Sequence, residues 1–178
     1  MAVVSQICDA MRKVSAAGIV HRDLSAHNIL VHRLNPLTVK VIDFGLAMRG
    51  ASARESVVFS MGAVGDIFSV RWTAAEIFQC RPGQLPPWSE FSDVWSFGVT
   101  AWQVWAHGEV PYTLAMTDQA VINHVTKGRC LSMPFGCEIE IFKDVIETCW
   151  SSIPERRPTF EQLWARLLKL HPKYMNVA

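Results

Sequence analysis

The chain has 178 residues, half of them apolar, and its formal net charge at pH 7 is +1. That length fits one domain with a core of its own, and the apolar content excludes a disordered chain. The nearly neutral charge gives no electrostatic basis for binding nucleic acid or an anionic membrane surface.

The cysteine content and the hydrophobic segments indicate where such a chain resides. Five cysteines are scattered without a C-x-x-C pair or a spacing that suits zinc, which favours a reducing compartment. The N-terminal apolar stretch is too short for a signal peptide, and the most apolar window, residues 94–106, is too short and too polar to span a bilayer. We expect a cytoplasmic protein, or the cytoplasmic side of a membrane if the parent is a receptor.

The first elements along the chain are a helix and a hairpin. Apolar residues recur at helical spacing between Val3 and Met11, and Gly18 marks the end of this amphipathic helix. Two short β-prone runs, residues 29–32 and 38–42, then flank a connection that contains Asn35-Pro36.

The rest of the chain is predicted to be helical, apart from a long aperiodic stretch at residues 46–70. Such a stretch is uncommon in a compact domain unless it has a function. Apolar groups on nearly every face of residues 91–106 predict a helix buried in the middle of the domain. Further helices are predicted at residues 117–126, 142–150 and 160–168. Thr159 and Gln162 fit a capping box for the last one. The fold class is therefore mostly α with a small β-hairpin.

Two short motifs carry chemistry. Residues 21–28, His-Arg-Asp-Leu-Ser-Ala-His-Asn, fit the pattern H-R-D-L-x-x-x-N, and Asp43-Phe44-Gly45 supply D-F-G. Alone, the first motif could be surface charge and the second an ordinary turn. With both in order around a predicted hairpin, coincidence has a prior of roughly one in a hundred or less.

The whole chain resembles the C-terminal lobe of the protein kinases, from the helix before the catalytic loop to the final helix, and most densely that of the tyrosine kinases. The matching stretches are GIVHRDLSAHNILV, VIDFGLAM, RWTAAEIF, FSDVWSFGVTAWQVWAHGEVPY and CWSSIPERRPTF. The resemblance implies that residues 1–178 form this lobe of a two-lobed α+β fold. It also implies transfer of the γ-phosphoryl group of ATP, with Mg²⁺, to a hydroxyl of a protein substrate.

Phosphoryl transfer explains the residue types in the motifs. The reaction needs an attacking hydroxyl held in line and a neutralised phosphate charge, and it needs little covalent work from the protein. Asp23 is the candidate that accepts the hydroxyl proton. Asn28 and Asp43 offer hard oxygen ligands, which suit Mg²⁺ and its bound nucleotide. These three are the candidate catalytic residues.

The resemblance assigns further roles. It implies that Leu30 packs beneath the adenine ring and that Arg22 binds the anion of a phosphorylated activation segment. It also implies that Asp93 hydrogen-bonds the catalytic-loop backbone, and that Glu76 and Arg157 form an ion pair. From the residues alone, Arg157 could equally be a solvated surface charge. The other candidates with structural or regulatory roles are His21, Phe44, Gly45, Ser60 and Trp72.

Several positions depart from the tyrosine-kinase pattern. Ser25 or His27 stands where those kinases carry an arginine, and the lysine typical of Ser/Thr kinases is also missing, so tyrosine is favoured but Ser/Thr is not excluded. Ser60 aligns with the usual regulatory tyrosine, and we hypothesise that its phosphate would pair with Arg22. Ser69 replaces a usual proline, and A-P-E reads Ala74-Ala75-Glu76, which we expect to loosen the peptide-docking platform.

The chain contains no Gly-rich loop, no V-A-I-K lysine and no helix with its glutamate partner. We therefore expect the missing N-terminal lobe to belong to the same polypeptide, with Met1 an internal methionine or the start of a truncated gene model. The chain alone is expected to be inactive. The alternative is a non-catalytic half-kinase that acts as an interaction module. Either way, Leu30, Ile42 and Phe44 are predicted to be partly exposed.

Overall fold

The computed structural model describes residues 1–49, 69–81, 83–112, 117–170 and 172. Its α-helices are α1 (Ala2–Ala16), α2 (Ala75–Phe78), α3 (Glu90–Trp105), α4 (Asp118–Val125), α5 (Ile139–Ile141) and α6 (Phe160–Leu170). Its strands are β1 (Ile19–Val20), β2 (Ile29–Leu34), β3 (Leu37–Val41) and β4 (Met48–Arg49). The predicted mostly helical character is confirmed. No helix among the described residues is long and apolar enough to cross a membrane.

Helix α1 is amphipathic, as its sequence predicts. Its buried face carries Val4, Ile7 and Met11, spaced three and four residues apart, and it packs against α6, α3 and β3. The helix ends before Gly18, which takes a φ of +69° that glycine adopts without steric cost. Gln6 ties the helix to β3, because its side-chain amide donates to one backbone carbonyl there and accepts one N–H, both at 2.8 Å.

The predicted hairpin is present as the antiparallel pair β2 and β3, with Ile29 opposite Val41 and Leu34 opposite Leu37. A second antiparallel ladder joins β1 to β4, which the sequence did not predict. Strands of two residues are too short to show an alternating pattern. This ladder pairs the segment before His21 with the segment after the D-F-G motif.

Helix α3 is the centre of the domain. Every residue from Ser92 to Gln103 is buried, which confirms the prediction for this segment. Two buried hydroxyls of α3 have backbone acceptors: the Thr100 hydroxyl donates to the carbonyl of Ser96 at 2.9 Å, and the Ser96 hydroxyl, which has one hydrogen, lies 2.8 Å from the carbonyl oxygen of Trp72 and 3.1 Å from that of Ser92. These two hydroxyls are therefore buried in the core with acceptors for their hydrogens.

The segment predicted as one helix over residues 142–150 is wound differently. After α5, a π-helical turn covers Phe142–Ile146 and a 3₁₀ turn covers Glu147–Trp150. The residues of the predicted apolar stripe are nevertheless buried. The predicted capping box at α6 is confirmed: the Thr159 N–H donates to the Gln162 side chain at 2.9 Å, and the Gln162 N–H donates back to the threonine hydroxyl at 3.2 Å.

The close approach of this segment to α3 generates a stability prediction. A methyl group on Gly98 would lie 2.6 Å from Cβ of Cys149 and 2.7 Å from Nε1 of Trp150. We expect Gly98→Ala to lower the free energy of unfolding by roughly 1–3 kcal/mol through overpacking. At an unconstrained helical site the same change would raise it by about 1 kcal/mol. Urea denaturation measures the difference.

Gln119→Ala, on an exposed face of α4, is the control for that measurement, with an expected change within about 0.5 kcal/mol. A Gly98→Ala protein as stable as the unmodified chain would contradict the packing argument.

Candidate active site

The first turn of α3 holds the loop that follows β1. Asp93 is 2% exposed, and its carboxylate accepts the backbone N–H groups of His21 at 2.6 Å and Arg22 at 2.9 Å. Burial raises the pKa of Asp93 to about 7, and the two N–H donors oppose this shift because they favour the ionised form. Arg22 has a φ of +71°, which is costly for a residue with a Cβ, so the paired hydrogen bonds hold a strained backbone in place.

His21 links this loop to the D-F-G segment. Its ring is fully buried; Nδ1 accepts the Asp23 N–H at 3.3 Å, and Nε2 lies 3.2 Å from the carbonyl oxygen of Ile42. The two partners fit a neutral ring protonated at Nε2. Burial lowers the pKa of His21, because the charged form of the ring would lose its hydration. The ring also packs against Phe44, with 4.7 Å between centroids.

Asp23 and Asn28 are in direct contact. The Asn28 side-chain amide donates to Oδ2 of Asp23 at 2.9 Å and to the Asp23 backbone carbonyl at 2.7 Å. The other carboxylate oxygen of Asp23 accepts the backbone N–H of Ser69 at 3.3 Å. Asn28 is 8% exposed, and its donors turned toward Asp23 leave its amide oxygen as an acceptor for another group.

Asp43 lies at the end of β3 and is exposed. The preceding residue, Ile42, donates its N–H to the backbone carbonyl of Asn28 at 2.9 Å. Asp43 has a φ of +62°, which aspartate tolerates better than most residues, and its Oδ1 accepts the N–H of Gly45 at 3.1 Å. The structure thus joins Asp23 to Asn28 through side chains, and Asn28 to the residue before Asp43 through the backbone.

These donors fit a magnesium ion better than a transition metal. The described residues contain no group of three or more His, Cys, Asp or Glu side chains that could enclose a metal. The amide oxygen of Asn28 and the carboxylate of Asp43 are hard oxygen donors. Mg²⁺ is typically bound by one or two such side chains, with water and phosphate oxygens completing its octahedron. The small donor set is therefore compatible with Mg²⁺.

Three apolar side chains beside this site face solvent. Leu30 is 47% exposed, Ile42 37% and Phe44 44%, which confirms the prediction that all three are partly uncovered. Val31 and Leu34 on the same hairpin are also exposed. Contiguous exposed apolar groups next to polar ones typically mark a surface that binds something else.

Arg22 packs against an aromatic ring. Its guanidinium carbon lies 4.9 Å from the ring centroid of Trp88, and its Nε is buried without a hydrogen-bond partner among the described residues. Burial lowers the pKa of Arg22, although Asp93 opposes this shift. No signal in the sequence pointed to Trp88. Ser60, proposed as the phosphate-bearing partner of Arg22, lies outside the described residues.

A buried ion pair joins α2 to the segment before α6. Arg157 is 3% exposed; its two terminal nitrogens donate to the two carboxylate oxygens of Glu76 at 2.6 and 2.7 Å. The same guanidinium donates to the carbonyl oxygens of Ser151 at 3.0 Å and Phe91 at 2.8 Å, and it lies over the ring of Trp95. The bidentate geometry and the additional acceptors satisfy a charge that would otherwise be costly to bury.

Trp72 connects the segment before α2 to its surroundings. Its backbone N–H donates to the carbonyl of Ser69 at 3.0 Å, and its backbone carbonyl accepts the Ser96 hydroxyl at 2.8 Å. The ring of His27, in the loop before β2, packs edge-on against the Trp72 ring at 5.5 Å between centroids. The loop, this segment and α3 therefore meet at one place.

Comparisons with known proteins agree with this architecture. The sequence model of the family "Protein tyrosine and serine/threonine kinase" matches residues 1–167, so the chain belongs to that family. It is 35% identical to Tyrosine protein-kinase src-1 of Caenorhabditis elegans, over 91% of this chain and 29% of that protein. It is also 35% identical to human Cytoplasmic tyrosine-protein kinase BMX, over 94% of this chain and 23% of that protein. The chain thus spans less than a third of the length of these relatives.

The Glu76–Arg157 pair predicts a large effect on stability. Arg157→Met should lower the free energy of unfolding by roughly 3–5 kcal/mol, because it leaves the Glu76 carboxylate partly buried without its partner. Chemical denaturation is the measurement. The matched control is Lys143→Met, since Lys143 and Glu147 form an exposed pair at 2.8 Å whose loss should cost at most about 1 kcal/mol. Equal losses in the two variants would refute a buried, paired Arg157.

His21 predicts a dependence of stability on pH. Its folded-state pKa is lowered below the unfolded value of about 6.5, so the stability contribution of the neutral ring is complete above that pH and is lost as the pH falls below it. His21→Gln cannot titrate. We expect the advantage of the unmodified chain over this variant in urea denaturation to shrink between pH 7.5 and pH 5.5. A constant advantage over His21→Gln across this pH range would count against the neutral ring.

Proposed function

We propose that this chain is the large lobe of a protein kinase that transfers the γ-phosphoryl group of ATP to a protein hydroxyl, with tyrosine favoured over serine or threonine. The observation that carries the proposal is the contact between Asp23 and Asn28, one backbone hydrogen bond away from the segment that bears Asp43. The names of the relatives, among them Tyrosine-protein kinase csk-1 of Caenorhabditis elegans at 37% identity, support tyrosine as the acceptor.

In this proposal Asp23 is the catalytic base. Its carboxylate would accept the proton of the substrate hydroxyl and orient that oxygen toward the phosphate. Asn28 restrains the carboxylate at Oδ2, and so the position of the base does not depend on substrate. Asn28 and Asp43 would hold Mg²⁺, whose charge would neutralise the phosphates of ATP during transfer.

Other residues of the site would maintain this geometry. Asp93 would fix the catalytic loop through its two backbone hydrogen bonds, and His21 would tie the loop to Ile42 and Phe44. Arg22 would bind a phosphate on the activation segment, leaving its present position over the ring of Trp88.

The exposed side chains of Leu30, Ile42 and Phe44 support a missing partner surface. We propose that a nucleotide-binding N-terminal lobe of the same polypeptide covers them, and that the adenine ring packs on Leu30. Without that lobe the phosphates would lack their cover and a cation. Positioning of this kind is worth roughly 7–11 kcal/mol of the barrier, so the chain alone would not transfer phosphate at a measurable rate.

We also propose a cytoplasmic location, or the cytoplasmic side of a membrane if the parent is a receptor. All five cysteines are free thiols and three of them are buried, which suits a reducing compartment. One of the relatives carries the word cytoplasmic in its name.

The test compares the chain alone with the longest polypeptide that the same gene encodes around it. We expect the longer protein to incorporate labelled phosphate from ATP into tyrosine-containing peptides, and Asp23→Asn to lower that rate by roughly 10²–10⁴-fold. Lys143→Met, far from Asp23 on an exposed helical surface, is the control and should leave the rate unchanged.

Three results would count against the proposal. Transfer by the chain alone that Asp23→Asn abolishes would refute the need for a second lobe. A longer protein without transfer would favour a non-catalytic interaction module. Phosphate found only on serine or threonine would keep the kinase and reject the tyrosine preference.

A further inference from the structure

The side chain of Arg22 rests on a ring that satisfies it only in part. Its guanidinium carbon lies 4.9 Å from the ring centroid of Trp88, and its Nε is buried without a hydrogen-bond partner among the described residues. The face of the ring attracts the cation, but a buried N–H without an oxygen or nitrogen acceptor still costs free energy. The guanidinium is therefore held in a position that leaves one of its donors unsatisfied.

We propose that Trp88 is a positioning residue that holds Arg22 in a resting place and competes with the phosphate that this arginine would bind. The proposal rests on the proposed function, which makes Arg22 the partner of a phosphorylated side chain. A phosphate that pairs with Nε and a terminal nitrogen of the guanidinium cannot reach an Nε that is buried. Arg22 therefore has to leave the ring before this bidentate pair forms, and the loss of the cation–π contact reduces the affinity for phosphate.

The ring of Trp88 is fixed with respect to the backbone of Arg22. Trp88 lies two residues before α3, and the next residue, Ser89, caps the helix with its N–H donating to the Ser92 hydroxyl at 3.1 Å. Asp93, in the same first turn, accepts the backbone N–H of Arg22 at 2.9 Å. One end of α3 thus holds the backbone of the arginine and meets its side chain as well.

A phosphate would supply what the resting place lacks. Burial lowers the pKa of Arg22, because the cation loses hydration, and the charge of Asp93 opposes this shift without cancelling it. Both carboxylate oxygens of Asp93 already accept backbone N–H groups. A phosphate would add an acceptor for Nε–H and a second negative charge. The arginine therefore has two alternative partners, the ring without phosphate and the anion with it.

The first experiment uses the unmodified chain and needs no transfer activity. The probe is N-acetyl-phosphoserine amide, titrated at constant ionic strength against its unphosphorylated form, and the Nε–H signal of Arg22 is followed by NMR. Arg22→Gln assigns the signal. We expect the ring-current shift that Trp88 gives this proton to disappear as the probe binds. Binding that leaves the shift in place, or that Arg22→Gln does not weaken, would overturn the proposal.

The second experiment compares affinities for the same probe. Trp88→Leu should bind it about two- to fivefold more tightly because the competing contact is gone, and Trp88→Phe, which keeps a weaker aromatic face, should lie between. Damage to the fold would weaken binding, so a gain in affinity separates a competing ring from a purely structural one. The matched control is Trp164→Leu, which removes a ring 5.5 Å from Arg12 and should leave the affinity unchanged.

Two further results would overturn the proposal. Unchanged or weaker binding by Trp88→Leu would mean that the ring is neutral or prepares the arginine for the anion. Inorganic phosphate, titrated in parallel, would bind more tightly than the probe if the site served the free anion instead of a phosphorylated side chain. Failure of the proposed function is a separate result: a longer polypeptide without transfer would refute it, while a gain in affinity in Trp88→Leu would still establish the competition at Arg22.

Discussion

The site depends on one buried carboxylate. Asp93 loses its hydration on burial, and its carboxylate accepts two adjacent backbone N–H groups instead. These hydrogen bonds hold the loop that contains Arg22, whose φ lies in the left-handed region. The place of Asp93 in the first turn of α3 helps, because the positive end of the helix dipole favours a negative charge there. Remove this acceptor, and both the strain at Arg22 and two buried donors are left without compensation.

Helix α3 contacts several segments that are far apart in sequence. Asp93 fixes the loop after β1, Ser96 binds the carbonyl of Trp72, and Gly98 admits the side chains of Cys149 and Trp150. The carbonyl of Phe91 adds a contact to the buried Arg157. Because these contacts lie on a rigid element buried along nearly its whole length, the distances between the segments are set by packing rather than by loop conformation.

Sequence patterns predicted the elements with enough residues to show a period, and the residues of motifs that are close in sequence. The burial of α3 and the hairpin belong to the first kind, and the capping box at Thr159 belongs to the second. The β1–β4 ladder and the π-helical turn belong to neither, because two paired residues or one wider turn leave no periodic trace. The hydrogen bond from Ser69 to Asp23 could not be predicted from the sequence either, because its donor is a backbone N–H and does not depend on a particular side chain.

Under the proposed function, the charges of the described site give a reason why it would need a second surface. Asp23 and Asp43 both present acceptors toward solvent, and the guanidinium of Arg22 is engaged with Trp88 instead of facing them. A polyanion such as ATP would be repelled by such a surface unless cations came with it. Rigid anchoring on the side of α3 and exposed apolar groups on the side of Leu30 agree with the proposed function, in which this chain would supply an oriented base and metal ligands, and a second surface would supply the cover and the remaining positive charge.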